Sequence, residues 1–207
     1  MNTGSEAARY LQACKDPFWQ QVFKAELDYL LHRLRPEDKI LSVGCGPAII
    51  ESGLAEHGFS VVGLDVSQEA IACAPDTLRT LAADAENMPF EAAQFHVVLF
   101  IVSLQFIKNY RQALRETARV LLPGGRVIAM LLNPISDFFK AKQAEADSYV
   151  GKIKHIDLMA LEGSIAEHFV TESEYFLGIS GKSLIADMDP RVAALYVIRG
   201  KRWERPV

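Results

Sequence analysis

Cysteine is scarce in this chain of 207 residues, and Cys14, Cys45 and Cys73 lie far apart and are odd in number. Because no C-x-x-C pair occurs, neither a zinc site nor a disulfide framework is predicted, and we expect no bound metal. Basic residues do not outnumber acidic ones, and the net charge is −4. A nucleic-acid partner is not expected either, because such partners are normally met by clustered lysine and arginine.

Long apolar runs are also missing, since none approaches the roughly 20 residues that cross a bilayer. The first nine residues are polar and contain no apolar core of the signal-peptide kind. We therefore expect a cytoplasmic protein with no membrane partner. Half of the residues are hydrophobic and 23% are charged, which is ordinary globular composition. The length predicts one domain over residues 1–207.

Short apolar runs alternate with helical segments through the middle of the chain. Predicted strands are Lys39–Val43, Ser60–Leu64, Leu78–Ala82, Phe95–Val102 and Arg126–Leu132. Predicted helices are residues 1–34, Ala48–His57, Gln68–Ala74, Tyr110–Leu121, Ser136–Val150 and Ile156–Phe169. This alternation predicts βαβ units and a parallel sheet that is covered on both faces.

Two further runs, Glu174–Ile179 and Ala193–Arg199, predict a final hairpin-like pair of strands at the edge. The fold class we predict is therefore α/β. It is a Rossmann-like three-layer α/β/α sandwich, with a seven-stranded, mostly parallel sheet and an antiparallel C-terminal edge strand.

A glycine loop follows the first predicted strand, at Val43–Gly44–Cys45–Gly46–Pro47. Ligands of open parallel sheets bind beyond the carboxyl ends of the strands, where glycines let the backbone approach them closely. Asp65 ends the second strand, 21 residues after Gly44, where a carboxylate can accept both hydroxyls of a ribose. That spacing serves NAD and S-adenosylmethionine alike. Ile49 stands where a dinucleotide fingerprint requires glycine or alanine, which argues against a pyrophosphate.

Four motifs in order resemble the class I S-adenosylmethionine-dependent methyltransferases, and in particular the small-molecule branch that includes the ubiquinone and menaquinone methyltransferases. They are Val43–Gly46, Gly63–Ser67, Asp84–Phe90 and Arg119–Gly125. The resemblance covers about residues 36–132. It implies a helical N-terminal lid at 1–35, a cofactor-binding core at 36–132, and substrate-side helices with the final strands at 133–207.

The resemblance also implies roles for individual residues. Gly44, Cys45 and Gly46 would lie against the methionine portion of S-adenosylmethionine, which becomes S-adenosylhomocysteine as product. Asp65 would hold the ribose and Val66 would pack on the adenine. Asp84 would accept from the adenine amino group and the Ala85 N–H would donate to a ring nitrogen, while Val102 would lie beneath the sulfonium.

One departure from the family pattern concerns the position two residues before Gly44. That residue is usually acidic in the family and is Ser42 here. The resemblance therefore implies a weaker water-mediated contact with the methionine ammonium, although a hydroxyl can still accept a hydrogen bond. Ser42 stays among the expected cofactor-binding residues.

No base motif is evident, and methyl transfer does not always need one. The candidates for a catalytic role are Tyr10, which resembles a lid tyrosine of related enzymes, and His155, whose alternative is an exposed loop histidine. The expected acceptor pocket is formed by Tyr10, Trp19, Gln105, Phe106, Asn133 and Tyr149.

The function we predict is methyl transfer to a small-molecule acceptor by in-line displacement, in a monomer or a homodimer. Two alternatives stay open at this point. One is a non-catalytic module that binds S-adenosylmethionine as a sensor or assembly partner, and the other is a nicotinamide-dependent oxidoreductase.

Overall fold

The computed structural model describes residues 11–145 and 148–203, and one sheet of eight strands runs through these residues. The strands are β1 (Lys39–Val43), β2 (Ser60–Asp65), β3 (Arg79–Ala82), β4 (Phe95–Ile101), β5 (Leu121–Leu132), β6 (Phe169–Ser180), β7 (Ser183–Ile185) and β8 (Ala193–Arg202). Their order across the sheet is β3-β2-β1-β4-β5-β8-β6-β7. Strands β1 to β5 are parallel, and β8 pairs antiparallel with both β5 and β6.

The helices connect the strands and cover the sheet. They are α1 (Pro17–Leu31), α2 (Ile49–Glu56), α3 (Gln68–Ile71), α4 (Tyr110–Val120), α5 (Asp137–Gln143) and α6 (Leu158–Ala166). Helix α1 begins where Asp16 accepts the Phe18 N–H at 2.8 Å and Pro17 occupies the first turn. Ser67 caps α3 by accepting the Ala70 N–H at 3.2 Å.

Both faces of the sheet are buried, because successive side chains along a strand point to opposite sides. In β4, Val97 and Leu99 join a core that includes residues of α1 and α2. Val98 and Phe100 point to the other side and join a core with residues of α4 and α6. The predicted three-layer α/β/α architecture is confirmed.

Two details of the predicted sheet are wrong. The sheet has eight strands instead of seven, because β7, which lies between the two predicted final strands in sequence, pairs with β6. The antiparallel strand β8 does not lie at the edge but between β5 and β6. All six residues from Ala193 to Ile198 are buried, so this strand is apolar on both faces and suits an interior position.

Several predicted helices are shorter than expected, and two of them differ most. The described part of the first helical segment breaks at Lys15–Asp16, because Asp16 caps a new helix instead of continuing the old one. The helix predicted over Ser136–Val150 ends at Gln143, and a 3₁₀ turn follows at Tyr149–Lys152. Of the helices in residues 11–145 and 148–203, none has both the length and the apolar character needed to cross a membrane.

Candidate cofactor and acceptor site

The loop between β1 and α2 turns sharply because three of its residues have left-handed backbone. The φ angles are +75° at Gly44, +53° at Gly46 and +60° at Ala48. The N–H groups of Gly44 and Cys45 both donate to the Leu64 carbonyl, at 2.6 and 3.1 Å. The loop is therefore fixed to the carboxyl end of β2, as the motif spacing predicts for neighbouring parallel strands.

Ser103 packs against this loop from the end of β4. A Cβ atom at Gly44 would lie 2.5 Å from the Ser103 Cβ, so only glycine fits there. The Ser103 hydroxyl also donates to the Val43 carbonyl at 2.5 Å. Val102, just before it, has a φ of +50°, which is strained for a β-branched residue. Such strain persists where the surroundings enforce it, often at functional sites.

Asp65 ends β2 with its carboxylate held by two backbone donors. Oδ2 accepts the Gly46 N–H at 2.8 Å, and Oδ1 accepts the Ser67 N–H at 2.8 Å. The side chain of Val66 beside it is 77% exposed. A fixed carboxylate and an exposed apolar side chain therefore lie together at the tip of one strand, next to the glycine loop.

Asp84 follows the neighbouring strand, β3. The Ala83 N–H donates to the Asp65 carbonyl at 2.9 Å, which links the two strand ends. Asp84 is exposed, and one of its oxygens accepts the Glu86 N–H at 2.8 Å. The Ala85 N–H has no partner within the described residues. The carboxylate and this N–H are thus free to meet a ligand on the same edge of the sheet.

Arg119, in α4, fixes the loop that carries Asp84. Its guanidinium donates to the carbonyls of Phe90 and Met88 at 2.6 and 2.9 Å and pairs with Glu116 at 2.7 Å. The hydrogen bond from Arg119 lowers the pKa of Glu116, which also accepts the Met88 N–H at 2.9 Å. The last of the four motifs therefore supports the third, a role that the sequence did not suggest.

Beneath the glycine loop, Ser42 donates its hydroxyl to the Glu51 carboxylate at 2.5 Å. Both residues are buried, with 1% and 2% of their surface exposed. The pKa of Glu51 is raised to about 7, mainly because the group is buried; the Ser42 hydroxyl opposes this shift, and the charge of Asp65 contributes to it. Sequence reasoning missed Glu51, whose position depends on the exact turn of α2 after the loop.

A second acid, Glu26, lies in α1 among the apolar residues Val22 and Leu30 and is 4% exposed. Burial and, to a smaller extent, the charge of Glu51 raise its pKa to about 8. No hydrogen bond to its carboxyl is formed in residues 11–145 or 148–203. Sequence reasoning also missed Glu26. The signal was present, because Glu26 lies four residues from both Val22 and Leu30, on the apolar face of the helix.

Cys45 lies near Glu51 and Asp65 and is 8% exposed. Burial raises the pKa of its thiol far above the usual range, and the charges of Glu51 and Asp65 raise it further. The residue therefore stays a neutral thiol at physiological pH. It is suited to pack against a ligand and not to act as a nucleophile.

The predicted acceptor residues fall into two groups. Trp19 and Phe106 are half-buried, as is Tyr149, and burial raises the pKa of the Tyr149 phenol. Gln105 and Asn133 are fully buried and bond to the backbone instead. The Gln105 amide bonds to the backbone N–H and carbonyl of Leu132 and also donates to the His155 carbonyl. The Asn133 amide donates to the Pro190 and Ala193 carbonyls.

The two candidates for a catalytic base differ in what the structure describes. Tyr10 lies outside the described residues. His155 is half-buried, with Nε2 at 3.0 and 3.2 Å from the Ile107 and Lys108 carbonyls and its ring against Tyr110. Two carbonyl contacts require a proton on Nε2, so this nitrogen holds a loop in place and does not accept a proton from an acceptor.

Residues 41–129 match the family model for the methyltransferase domain. The matched segment contains the glycine loop, Asp65 and Asp84, so this part of the chain is similar to a methyltransferase domain. The crystal structure of an S-adenosylmethionine-dependent methyltransferase from Thermotoga maritima, described as a possible histamine N-methyltransferase, superposes with a TM-score of 0.74. The two are 20% identical, and the match covers 94% of this chain and 97% of that one.

Two curated relatives resemble the methyltransferase domain at the level of sequence. The demethylmenaquinone methyltransferase of Mycobacterium marinum is 32% identical over 127 residues, which are 60% of this chain and 53% of that protein. The biotin biosynthesis bifunctional protein BioHC of Cellvibrio japonicus is 29% identical over 147 residues, 68% of this chain and 29% of that protein. The chain thus spans about half or less of the length of these relatives.

The cofactor that the methyltransferase domain implies is S-adenosylmethionine, and the residues present are suited to it. A Cβ at Gly46 would meet no protein atom within 4 Å, so open space lies beside the loop. Val66 offers an exposed apolar surface next to a fixed carboxylate. The unpartnered Ala85 N–H beside Asp84 offers a donor and an acceptor side by side, which is what the edge of an adenine ring requires.

Proposed function

We propose that this chain transfers a methyl group from S-adenosylmethionine to a small-molecule acceptor. The observation that carries the proposal is the meeting of the glycine loop, Asp65 and Asp84 at one edge of the sheet. Bonds from the Gly46 N–H to Asp65 and from the Ala83 N–H to the Asp65 carbonyl connect all three. Together they form a continuous lining along the strand ends.

In this proposal each residue has the cofactor-binding role that suits its chemistry. The cofactor-binding residues are Ser42, Gly44, Cys45, Gly46, Asp65, Val66, Asp84, Ala85 and Val102. Asp65 binds the ribose hydroxyls through oxygen lone pairs that the two backbone donors leave free. Asp84 and the Ala85 N–H bind the adenine edge, and Val66 covers its face.

The cofactor supplies a sulfonium-activated methyl group, so the protein mainly has to position the acceptor in line with it. The strained Val102 and the tightly packed Ser103 hold the end of β4 rigid beneath the reacting centre. Trp19, Phe106 and Tyr149 are the half-buried aromatic candidates for contact with the acceptor. A small-molecule acceptor is in keeping with this aromatic lining.

Isothermal titration calorimetry with S-adenosylmethionine and S-adenosylhomocysteine tests the proposal. Asp65→Ala removes the carboxylate that accepts hydrogen bonds from the two ribose hydroxyls. This loss should cost about 3–4 kcal/mol of binding free energy, so the affinity should fall by a factor of about 100 or more. Asp84→Ala should weaken it about tenfold. Asp76→Ala, at an exposed acid before β3, is the matched control and should leave the affinity unchanged.

Turnover is then followed as S-adenosylhomocysteine release, starting with demethylmenaquinone because the Mycobacterium marinum relative is named for it. Binding without turnover across a broad acceptor panel would favour a sensor or assembly module. Tight NADH binding with no S-adenosylmethionine binding would refute the proposal. The cytoplasmic location, the absence of a nucleic-acid partner and the monomeric or homodimeric state stay predictions.

A further inference from the structure

The acidic residue that the family resemblance expects at position 42 is absent, but a carboxylate lies directly beside that position. Glu51 reaches it from the first turn of α2, and the Ser42 hydroxyl fixes it at 2.5 Å. In this chain β1 carries the hydroxyl of Ser42, and α2 carries the carboxylate of Glu51. A carboxylate is therefore available beneath the glycine loop, although the strand does not supply it.

A second carboxyl comes from α1, which packs on α2. The Leu27 side chain packs directly on Gly53, because a Cβ atom added to Gly53 would lie only 2.7 Å from it. One residue before Leu27, the buried Glu26 interacts electrostatically with Glu51 and with Tyr149. Within the described residues neither carboxyl pairs with a lysine, arginine or histidine. Buried acids without a cationic partner are costly, and a cationic ligand would remove that cost.

We propose that Glu51, oriented by Ser42, and Glu26 form a carboxyl pair that binds the ammonium group of the methyl donor. This inference rests on the proposed function. An ammonium group carries three donors and no acceptor, so two carboxylates and one hydroxyl match it. Glu26 retains its own hydrogen-bonding capacity for this purpose, because its carboxyl has no partner among the described residues.

The free protein holds this pair largely protonated. The pKa is about 7 for Glu51 and about 8 for Glu26. The groups that act on them are Asp65 of β2, the Cys45 thiol of the loop and the Tyr149 phenol, none of which is a cation. A bound ammonium favours the ionised forms. Binding near pH 7 should therefore release roughly one proton, and affinity should rise with pH between about 5.5 and 7.5.

The experiment is calorimetry of the full chain in buffers of different ionisation enthalpy, with S-adenosylmethionine and with 5′-methylthioadenosine, which lacks the amino acid portion. The first ligand should release protons and the second should not. Glu51→Gln should weaken S-adenosylmethionine about 30-fold or more. Glu26→Gln should weaken it in the same direction. Both variants should bind 5′-methylthioadenosine as the wild type does, which shows that their sites are folded.

Glu56→Gln is the matched control, because Glu56 lies exposed on the same helix. If S-adenosylmethionine binds the wild type without proton release, and Glu51→Gln stays within twofold of it, the carboxyl pair is refuted while the proposed function stands. If neither ligand binds the wild type, the proposed function itself fails. Titration is confined to pH below about 7.5, since an α-amino group loses its own charge near pH 8.

Discussion

Replacing Gly44 by alanine should destabilise the protein far more than the same change at Gly46. Both glycines have positive φ, so alanine costs about 1–2 kcal/mol at each for the left-handed backbone. At Gly44 the new Cβ would also lie 2.5 Å from the Ser103 Cβ, and such overpacking adds about 1–3 kcal/mol. We therefore expect a loss of about 2–5 kcal/mol for Gly44→Ala and about 1–2 kcal/mol for Gly46→Ala.

Urea unfolding followed by circular dichroism measures both losses. Ser103→Gly in the Gly44→Ala background removes the atom that clashes, so the double variant should recover about 1–3 kcal/mol relative to the sum of the single losses. The reasoning is refuted if the two alanine variants lose equal stability, or if the double-mutant cycle shows no coupling. Gly46→Ala should stay folded but bind S-adenosylhomocysteine more weakly, because its Cβ enters the open space beside the loop.

Three further predictions concern polar groups that bond within the protein. Arg119→Met removes the donors to two loop carbonyls and should cost about 1.5–3 kcal/mol in urea unfolding, with faster hydrogen exchange over residues 84–90. Gln105→Leu leaves both polar groups of Leu132 unpaired and should cost about 2–4 kcal/mol, whereas an unchanged stability would show that water replaces the amide. Because folding raises the pKa of Glu26 to about 8 and of Glu51 to about 7, the folded protein holds more protons than the unfolded chain between about pH 4.5 and 8. The free energy of unfolding should therefore fall as pH rises through that window, by up to about 8 kcal/mol for the two groups together, and the double glutamine variant should lose this part of the pH dependence.

The parallel half of the sheet could be predicted because each strand is a short apolar run that ends in a turn residue or an acid. The interior position of β8 could have been predicted from its six consecutive apolar residues, which an edge strand rarely has. Strand β7 carries no such signal. Its three residues, Ser183–Ile185, become a strand only because β6 offers them a partner.

In the candidate site, Asp65 and Asp84 were predictable because the position of each relative to its strand is local in sequence. The support that Arg119 gives to the Asp84 loop depends on how α4 packs, which no local pattern reports. The same is true of Glu51, whose meeting with Ser42 depends on the turn of α2. The bonds between the Gln105 amide and the Leu132 backbone likewise depend on tertiary packing, so the sequence did not indicate them.

The placement of β8 has a consequence for the way this protein is made on the ribosome. Strands β5 and β6 do not pair with each other, and both pair with β8, which follows them in the chain. The five parallel strands can assemble while synthesis continues, but β5 keeps an open apolar edge until residues 193–202 emerge. We expect the nascent chain to depend on chaperones during that interval, and truncations that remove β8 to aggregate.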